Sequence, residues 1–455
     1  MRADEVRKAL EGLLGPGAVG ADADDLLRHG NGFSYHRPLL PAAVVRPKDR
    51  EEVLAVLRFA AAHAIPVIPY GAGSSIEGQL IPVQGGISLD LGRMNAILEV
   101  RPSDFIIRVQ AGVTRLQLNE RLRQDGLFFP VDPGADASIG GMTGTNASGT
   151  SALRYGMMRQ HVLALEVALS DGRLIHTGSM SFKTSAGYNL TQLMVGSEGT
   201  LGVFTEVTLR VYPLPPVIVA ARATFPTLDA AAETAIALMQ SGALVGRCEL
   251  VDSPTIEAVN AYEGTTFAVK PTLFFEFSGR AAAVSEDVGT AEALSQAHGG
   301  LTFERESDPE ARDRLWAARH HASLALAAAN PGKGMLSTDV CVPLSVLPAA
   351  LRHTREVMKR HGVEGSVLGH VGDGNYHSGF MVDYRDEAEV HLAEQVHQEI
   401  IDFALAQGGT CTGEHGVGVG KRTYLRQEHG DLVPLMAAIK AAFDPAGIMN
   451  PGKIW

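Results

Sequence analysis

Cysteine and positive charge are both scarce in this sequence. The 455 residues include three cysteines, Cys248, Cys341 and Cys411, an odd number without a Cys-x-x-Cys pair. They favour neither a disulfide framework nor a cysteine zinc site, so a reducing compartment is expected. The formal net charge is −12, which argues against nucleic-acid binding because that function needs a basic surface.

Long apolar runs are also missing. The most apolar window, residues 53–70, is interrupted by Arg58, His63 and Pro66, whereas a membrane helix needs about 18 or more apolar residues. The first residues form a charged helical pattern without the apolar segment of a signal peptide. We therefore expect a cytoplasmic protein without a transmembrane segment, and any membrane association would be peripheral, on the inner face of the membrane.

The composition that is present, 45% hydrophobic and 20% charged, is typical of a globular chain with two or three domains. The first half alternates strand and helix patterns, among them a strand over 66–70 and a helix over 48–63 that begins at Asp49. The proline-rich segment 213–216 interrupts regular structure and is the expected linker. An α+β unit follows, with strands at 217–224 and 272–278 and alanine-rich helices at 228–240, 311–329 and 387–407.

Two histidines flank the strongest hairpin signal of the chain. Residues 369–377 read Gly-His-Val-Gly-Asp-Gly-Asn-Tyr-His, and Asp-Gly between apolar runs favours a two-residue turn. That turn places His370 directly opposite His377, with Cβ atoms about 4.5–5.5 Å apart. Two such imidazoles can bind one divalent ion, and Glu414 can complete a three-ligand set with positions open for substrate. The alternative is a structural pair, since the chain has 16 histidines.

A second cluster, Thr412-Gly413-Glu414-His415-Gly416, lies further along the chain. In extended backbone Glu414 and His415 point to opposite sides, so one can bind a metal while the other handles protons. The flanking glycines favour close approach of the backbone to a ligand. The alternative is a solvated loop.

Three segments rich in small residues lie in the first half of the chain, at 71–75, 132–149 and 196–202. Backbone N–H groups of such loops can converge on an anion such as a pyrophosphate. The first loop is not a Rossmann motif, because Ile76 occupies the position of the third glycine, and a G-x-x-x-x-G-K-[ST] loop is absent from the sequence. Together the loops predict an extended ligand with a diphosphate, and a disordered linker is the alternative for residues 132–149.

These loops resemble the FAD-binding segments of the vanillyl-alcohol oxidase/p-cresol methylhydroxylase flavoprotein superfamily. Residues 370–377, the Glu414-His415 pair and residues 450–453 resemble its 2-hydroxy-acid dehydrogenase branch. Residues 337–343 are similar to the cytochrome-linked D-lactate dehydrogenases. The resemblance extends over almost the whole chain, with the motifs in the order typical of the family.

The resemblance implies an α+β protein with a two-subdomain FAD-binding domain of the p-cresol methylhydroxylase type and an α+β cap domain with an antiparallel sheet. The implied bounds are 1–215 for the FAD-binding domain, 216–425 for the substrate and cap domain with the metal site, and 426–455 for a C-terminal segment that returns to the FAD domain.

FAD is the implied cofactor, and its implied binding residues come from the three loops and the tail. They are Tyr70, Gly71, Ala72, Gly73, Ser74, Ser75, Gln79, Pro133, Gly134, Ser138, Gly140, Gly141, Thr143, Gly144, Asn146, Ser148, Gly149, Tyr155, Gly156, Glu198, Gly199, Gly202, Val203 and Asn450.

The implied reaction is oxidation of a small D-2-hydroxy acid, most directly D-lactate to pyruvate, with hydride transfer to FAD. Zinc or manganese is implied at His370, His377 and Glu414, with His415 as the base and Arg319 as the partner of the substrate carboxylate. Composition alone would make Arg319 an exposed helical arginine. A quinone, a cytochrome or an electron-transfer flavoprotein is the expected electron acceptor, and a homodimer is an open alternative to a monomer.

Competing functions stay open. A metallohydrolase could use the same three ligands, but it would leave the glycine loops without a ligand. Glycolate oxidase subunits and D-2-hydroxyglutarate dehydrogenases are rivals within the family. Where the latter carry a lysine that helps to bind a second carboxylate, this chain has Ser337, which favours a monocarboxylate because an unpaired buried carboxylate is costly.

Overall fold

Residues 1–32 and 36–455 are described by a computed structural model. They divide into a first unit, formed by residues 1–148, 156–214 and 414–455, and a second unit, formed by residues 149–155 and 215–413.

The boundary at residue 214 falls in the expected proline linker. Residues 149–155 and 414–425 each pack with a unit other than the one to which the expected bounds assign them. The roles assigned to the three expected domains stay a prediction.

The first unit contains a four-stranded sheet in which three parallel strands, Ala43–Val45, Ile87–Asp90 and Val67–Tyr70, lie side by side in that order. The short strand Val19–Gly20 pairs antiparallel with Ala43–Val45. Nearly every side chain of Ala43–Val45 and Ile87–Asp90 is buried, as is typical of parallel strands covered on both faces.

The second sheet of this unit has five antiparallel strands. Their spatial order is Ile97–Arg101, Ile106–Gln110, Val203–Arg210, Val162–Ala168 and Leu174–Gly178. Leu127–Phe128 and Tyr212–Pro213 form a separate two-stranded pair.

The α-helices of the first unit surround these sheets in sequence. They are Ala3–Leu14, Ala23–Gly30, Arg50–Ala62, Arg115–Arg123, Ile139–Thr145, Met158–His161, Leu190–Met194, Arg422–His429 and Val433–Phe443. The helix Arg50–Ala62 begins as the sequence predicts, because the Asp49 carboxylate accepts a hydrogen bond from the Glu52 N–H at 3.0 Å.

The second unit is built on one antiparallel sheet of eight strands. Seven follow the order Thr302–Glu306, Val217–Thr224, Thr272–Gly279, Val245–Val251, Gly365–Gly369, Asn375–Val382 and Gly334–Ser337, and Val340–Cys341 also pairs with Asn375–Val382. Its α-helices are Ala152–Tyr155, Leu228–Gln240, Ser253–Glu263, Ala281–Ala297, Pro309–His320, Ala322–Ala329, Leu347–His361 and Glu387–Ala406.

Two local predictions are wrong. The single helix expected over 311–329 is two helices, separated at His321, whose φ of −86° and ψ of 5° lie outside the helical range. Residues 132–149, treated as a loop, contain the helix Ile139–Thr145, which Ser138 caps by accepting from the Gly141 N–H at 3.2 Å. This cap gives the segment a defined structure in place of the disordered linker.

Among the helices of the residues described, none has both the length and the apolar character needed to cross a membrane.

Candidate active site

The hairpin predicted around Asp373 and Gly374 forms, but with a longer turn. The observed partner of His377 is Leu368, not His370, so the predicted register is wrong by two residues. A Cβ at Gly374, where φ is 84°, would lie 2.1 Å from the Val342 carbonyl oxygen. The turn therefore packs against a distant segment, a contact that the local Asp-Gly pattern does not reveal.

His370 and His377 lie close together despite this shift, because a displacement by two residues keeps side chains on one face. Their ring centroids are 5.6 Å apart. His370 Nδ1 lies 2.7 Å from Glu249 Oε1, and His377 Nδ1 lies 3.3 Å from the Thr338 carbonyl oxygen. Carboxylates and carbonyls accept hydrogen bonds, so Nδ1 carries the proton in both rings and Nε2 is the nitrogen suited to a metal.

Sequence reasoning missed Glu249. It lies fully buried in the strand Val245–Val251, and its Oε2 forms an ion pair with Arg319 Nη2 at 2.6 Å. Arg319 is not the exposed helical arginine that composition favours, since it is 7% exposed. The one signal for Glu249 in the sequence is a carboxylate inside a mostly apolar strand, which is rare unless the charge is paired.

Asp339 is a second buried carboxylate of this unit that was not assigned a role from the sequence. Its Oδ1 accepts from Asn375 Nδ2 at 2.9 Å, and its Oδ2 accepts from the Thr412 hydroxyl at 2.7 Å. Its Oδ1 also lies 3.6 Å from His377 Nδ1. The hairpin histidines are thus supported by two carboxylates, Glu249 and Asp339.

Glu414 and His415 belong to the first unit, whereas His370 and His377 belong to the second. His415 Nδ1 lies 3.6 Å from Glu77 Oε1, and the His415 carbonyl accepts from Gln79 Nε2 at 2.8 Å. The structure thus brings together two of the three predicted metal ligands within one unit. The complete set, with its zinc or manganese ion, stays a prediction.

The three glycine loops meet within the first unit. A Cβ at Gly71 would lie 2.2 Å from Ser138 Oγ, so the first loop packs closely on the second. The Glu198 N–H donates to the Gly144 carbonyl at 2.7 Å, which joins the third loop to the second. The loops are therefore parts of one continuous surface.

Two hydroxyl groups on this surface fit a bound ligand. Ser75 Oγ and Ser197 Oγ are buried and have no hydrogen-bond partner within residues 1–32 and 36–455. Buried hydroxyls are normally satisfied, and a molecule with several acceptors would satisfy both. A Cβ at Gly144 would meet no atom within 4 Å, so space exists beside the loops. These features fit FAD, whose diphosphate and flavin ring carry such acceptors.

The C-terminal tail contacts the same loops. Asn450 Nδ2 donates to the carbonyl oxygens of Gln79 at 3.1 Å and of Glu198 at 2.7 Å. Lys453 Nζ donates to the Ile81 carbonyl at 2.6 Å. Apart from Gly149 and Tyr155, which lie in the second unit, all the predicted FAD-binding residues lie in the first unit; their contact with FAD stays a prediction.

Two buried charges near the tail titrate close to neutral pH. Burial raises the pKa of Glu198 to about 7, although the N–H groups of Val417 and Gly418 donate to its carboxylate. Burial lowers the pKa of Lys453 to about 8, against the opposing effect of the Glu198 charge. The stability of this region therefore depends on pH.

Two family models match the chain. Residues 41–178 match the family described as FAD binding domain, and residues 214–454 match the family described as FAD linked oxidases, C-terminal domain.

Two curated relatives align over most of their length. The chain is 44% identical to the probable mitochondrial D-lactate dehydrogenase of Danio rerio, over 94% of this chain and 87% of that protein. It is 41% identical to the mitochondrial D-lactate dehydrogenase (cytochrome) of Arabidopsis thaliana, over 95% of this chain and 77% of that protein.

A solved structure of p-cresol methylhydroxylase with substrate bound is similar to this chain with a TM-score of 0.84 at 20% identity, over 99% of this chain and 96% of that one. At this identity the similarity shows the fold alone. The predicted fold class, α+β of the p-cresol methylhydroxylase type with an antiparallel sheet in the second unit, is confirmed.

Proposed function

The chain belongs to the family of FAD-linked oxidases, and we propose that it oxidises a small D-2-hydroxy acid, D-lactate to pyruvate, with FAD as the electron acceptor. The observation that carries this proposal is the surface of three glycine loops, on which Ser75 and Ser197 lack partners among the residues described. The D-lactate dehydrogenases of Danio rerio and Arabidopsis thaliana support the choice of substrate.

Arg319 is the proposed partner of the substrate carboxylate. Its Nη2 is paired with Glu249, while its Nε is buried without a hydrogen-bond partner in the described part of the chain. A guanidinium group has five N–H donors, so Arg319 can bind a carboxylate while it keeps its pair with Glu249. Hydrogen bonds of this kind, between two charged groups, are the strong ones.

His370, His377 and Glu414 are the proposed ligands of a zinc or manganese ion, since imidazole and carboxylate donors suit both metals. A bound ion would act as a Lewis acid that orients the substrate hydroxyl and lowers its pKa, and bound FAD would accept the hydride of the α-carbon. His415 is the proposed base that takes the hydroxyl proton. Arg319 meanwhile holds the carboxylate and so limits rotation of the substrate.

The remaining parts of the proposal concern the surroundings of the enzyme. Electrons would pass onward to a cytochrome, a quinone or an electron-transfer flavoprotein, and the name of the Arabidopsis thaliana relative favours a cytochrome. The proposed location is the cytoplasm or, peripherally, the inner face of the membrane. A homodimer stays a prediction.

The proposed substrate has one carboxylate. Ser337, which stands where D-2-hydroxyglutarate dehydrogenases of this family carry a lysine, donates its hydroxyl to the Thr338 carbonyl at 3.0 Å. It offers no positive charge to a second carboxylate, and burying such a group unpaired costs a few kcal/mol.

An absorbance spectrum and a substrate panel test the proposal. We expect the purified protein to be yellow and to release FAD on denaturation. With a dye as electron acceptor, kcat/KM should be at least about 10²-fold higher for D-lactate and D-2-hydroxybutyrate than for D-2-hydroxyglutarate. A colourless protein that does not bind added FAD would overturn the flavoenzyme proposal, and a preference for the dicarboxylate or for glycolate would overturn the substrate.

Two arginines of the helix Pro309–His320 provide the control for the anchor. Arg319→Ala should raise KM for every substrate of the panel by about 10–100-fold, the effect of a lost hydrogen bond between charged groups. Arg314→Ala should leave KM unchanged, because the Arg314 side chain is 73% exposed. An Arg319→Ala variant with unchanged KM would move the anchor elsewhere.

A further inference from the structure

The structure places Glu249 between the two groups to which the proposed function assigns the metal and the substrate. One carboxylate oxygen lies 2.7 Å from His370 Nδ1, and the other lies 2.6 Å from Arg319 Nη2. We propose that Glu249 is a positioning residue, which fixes the tautomer of His370 for metal binding and at the same time fixes the orientation of Arg319. This inference rests on the proposed function and assigns a role to a residue outside the predicted site.

The sheet itself brings Glu249 to His370. The strand Val245–Val251 pairs antiparallel with the first strand of the hairpin, and Leu250 lies opposite Gly369. Continuing this register by one position places Glu249 opposite His370. Directly opposed residues of antiparallel strands have neighbouring side chains, so the contact follows from the strand order and does not depend on a flexible loop.

The hydrogen bond between Glu249 and His370 sets the chemistry of the imidazole ring. An ionised carboxylate can only accept hydrogen bonds, so it requires a proton on Nδ1 of a neutral His370. The lone pair is then on Nε2, the nitrogen that can bind a metal. Carboxylates that accept from the second nitrogen of a metal-bound histidine orient the ring and strengthen it as a ligand.

The ion pair with Arg319 fixes which way a substituted side chain would turn. Arg319 is 7% exposed and is a permanent cation, so it requires an acceptor at position 249. In a Glu249→Gln variant the amide oxygen would face Arg319, and the NH₂ group would face His370 Nδ1. Two donors cannot bond to each other, so Nδ1 would have to give up its proton and Nε2 would become protonated and unable to bind a metal.

Binding of Mn²⁺ to the full-length, flavin-loaded protein tests this inference. After removal of metal by a chelator, Mn²⁺ is added and the free ion is measured by electron paramagnetic resonance. Glu249→Gln should weaken Mn²⁺ binding by about 10–100-fold, the usual effect of losing a partner of a metal ligand. Glu304→Gln should bind as the unmodified protein does, because Glu304 is paired with an arginine, Arg222, three strands away on the same sheet.

A double variant separates positioning from a general structural role. In Glu249→Gln with Arg319→Met the cation is gone, so the amide oxygen can turn to His370 and accept from Nδ1. We expect Mn²⁺ affinity to return to within a few-fold of the unmodified protein. Unchanged Mn²⁺ binding in Glu249→Gln, or equally weak binding in the single and double variants, would overturn the inference. Absence of Mn²⁺ binding in the unmodified protein would instead overturn the proposed metal site.

Discussion

The loops of the first unit and the hairpin region of the second hold their proposed ligands by different chemical means. The loops offer backbone groups and the hydroxyls of Ser75 and Ser197, and they carry little charge. The hairpin region offers imidazoles and an arginine that a buried carboxylate, Glu249, holds in place. A large cofactor can be held by many weak backbone contacts, whereas chemistry on a small substrate requires a few charged groups in fixed positions.

Replacing His377 by alanine should separate the two regions most strongly. Turnover should fall by about 10³-fold or more, because a bound metal supplies several kcal/mol of transition-state stabilisation. FAD content should stay the same, since the glycine loops belong to the other unit. Steady-state rates and the flavin absorbance per chain measure both quantities.

The matched control is His391→Ala, which removes an exposed histidine of the helix Glu387–Ala406. Loss of FAD together with activity would break the distinction between the regions. Activity near that of the unmodified protein in metal-free buffer would show that the hairpin histidines are structural.

Glu198 tests whether the first unit is as free of electrostatic effects as its loops indicate. Burial raises its pKa from 4.5 to about 7, so the folded protein favours the protonated carboxyl. The resulting stability is complete below about pH 4.5 and is lost as the pH rises through about 7, by up to about 3 kcal/mol. Urea midpoints measured between about pH 5 and 8 should therefore decline more steeply for the unmodified protein than for Glu198→Gln. Parallel declines would show that this carboxyl is ionised throughout.

The smallest effect is expected from Gly71→Ala, which sharpens the comparison from the backbone side. The added Cβ would lie 2.2 Å from Ser138 Oγ, so Ser138 would have to turn away and give up its helix cap, at a cost of about 1 kcal/mol. The dissociation constant of FAD, measured by flavin fluorescence, should rise up to about tenfold, while Mn²⁺ binding should not change. Gly17→Ala is the control, because a Cβ there would meet no atom within 4 Å; equal FAD affinity in both variants would contradict the close packing of the loops.

The same contrast explains what could be predicted from the sequence. Local signals were sufficient for the helices Arg50–Ala62 and Leu228–Gln240, whose caps Asp49 and Thr227 lie next to them in the chain. Local signals also predicted that a hairpin forms at Asp373. They failed for its register, because the turn packs on Val342, more than thirty residues earlier.

The site divides in the same way. Small residues mark a backbone-built surface wherever they occur, so the three loops could be recognised from the sequence. Glu249 could not be recognised, because its partners Arg319 and His370 follow 70 and 121 residues later, and strand order brings them together. A buried charge acquires its role from partners that sequence spacing does not specify.

The C-terminal tail has a consequence for how the protein is made. The Val67 N–H donates to the Ile448 carbonyl at 2.8 Å, at the edge of the parallel strands. On the ribosome, residues 215–413 emerge before this partner does, so the second unit can fold while the sheet of the first still has an open edge. Exposed strand edges pair readily with other chains. The nascent protein is therefore most vulnerable to aggregation late in synthesis, until its last residues close that edge.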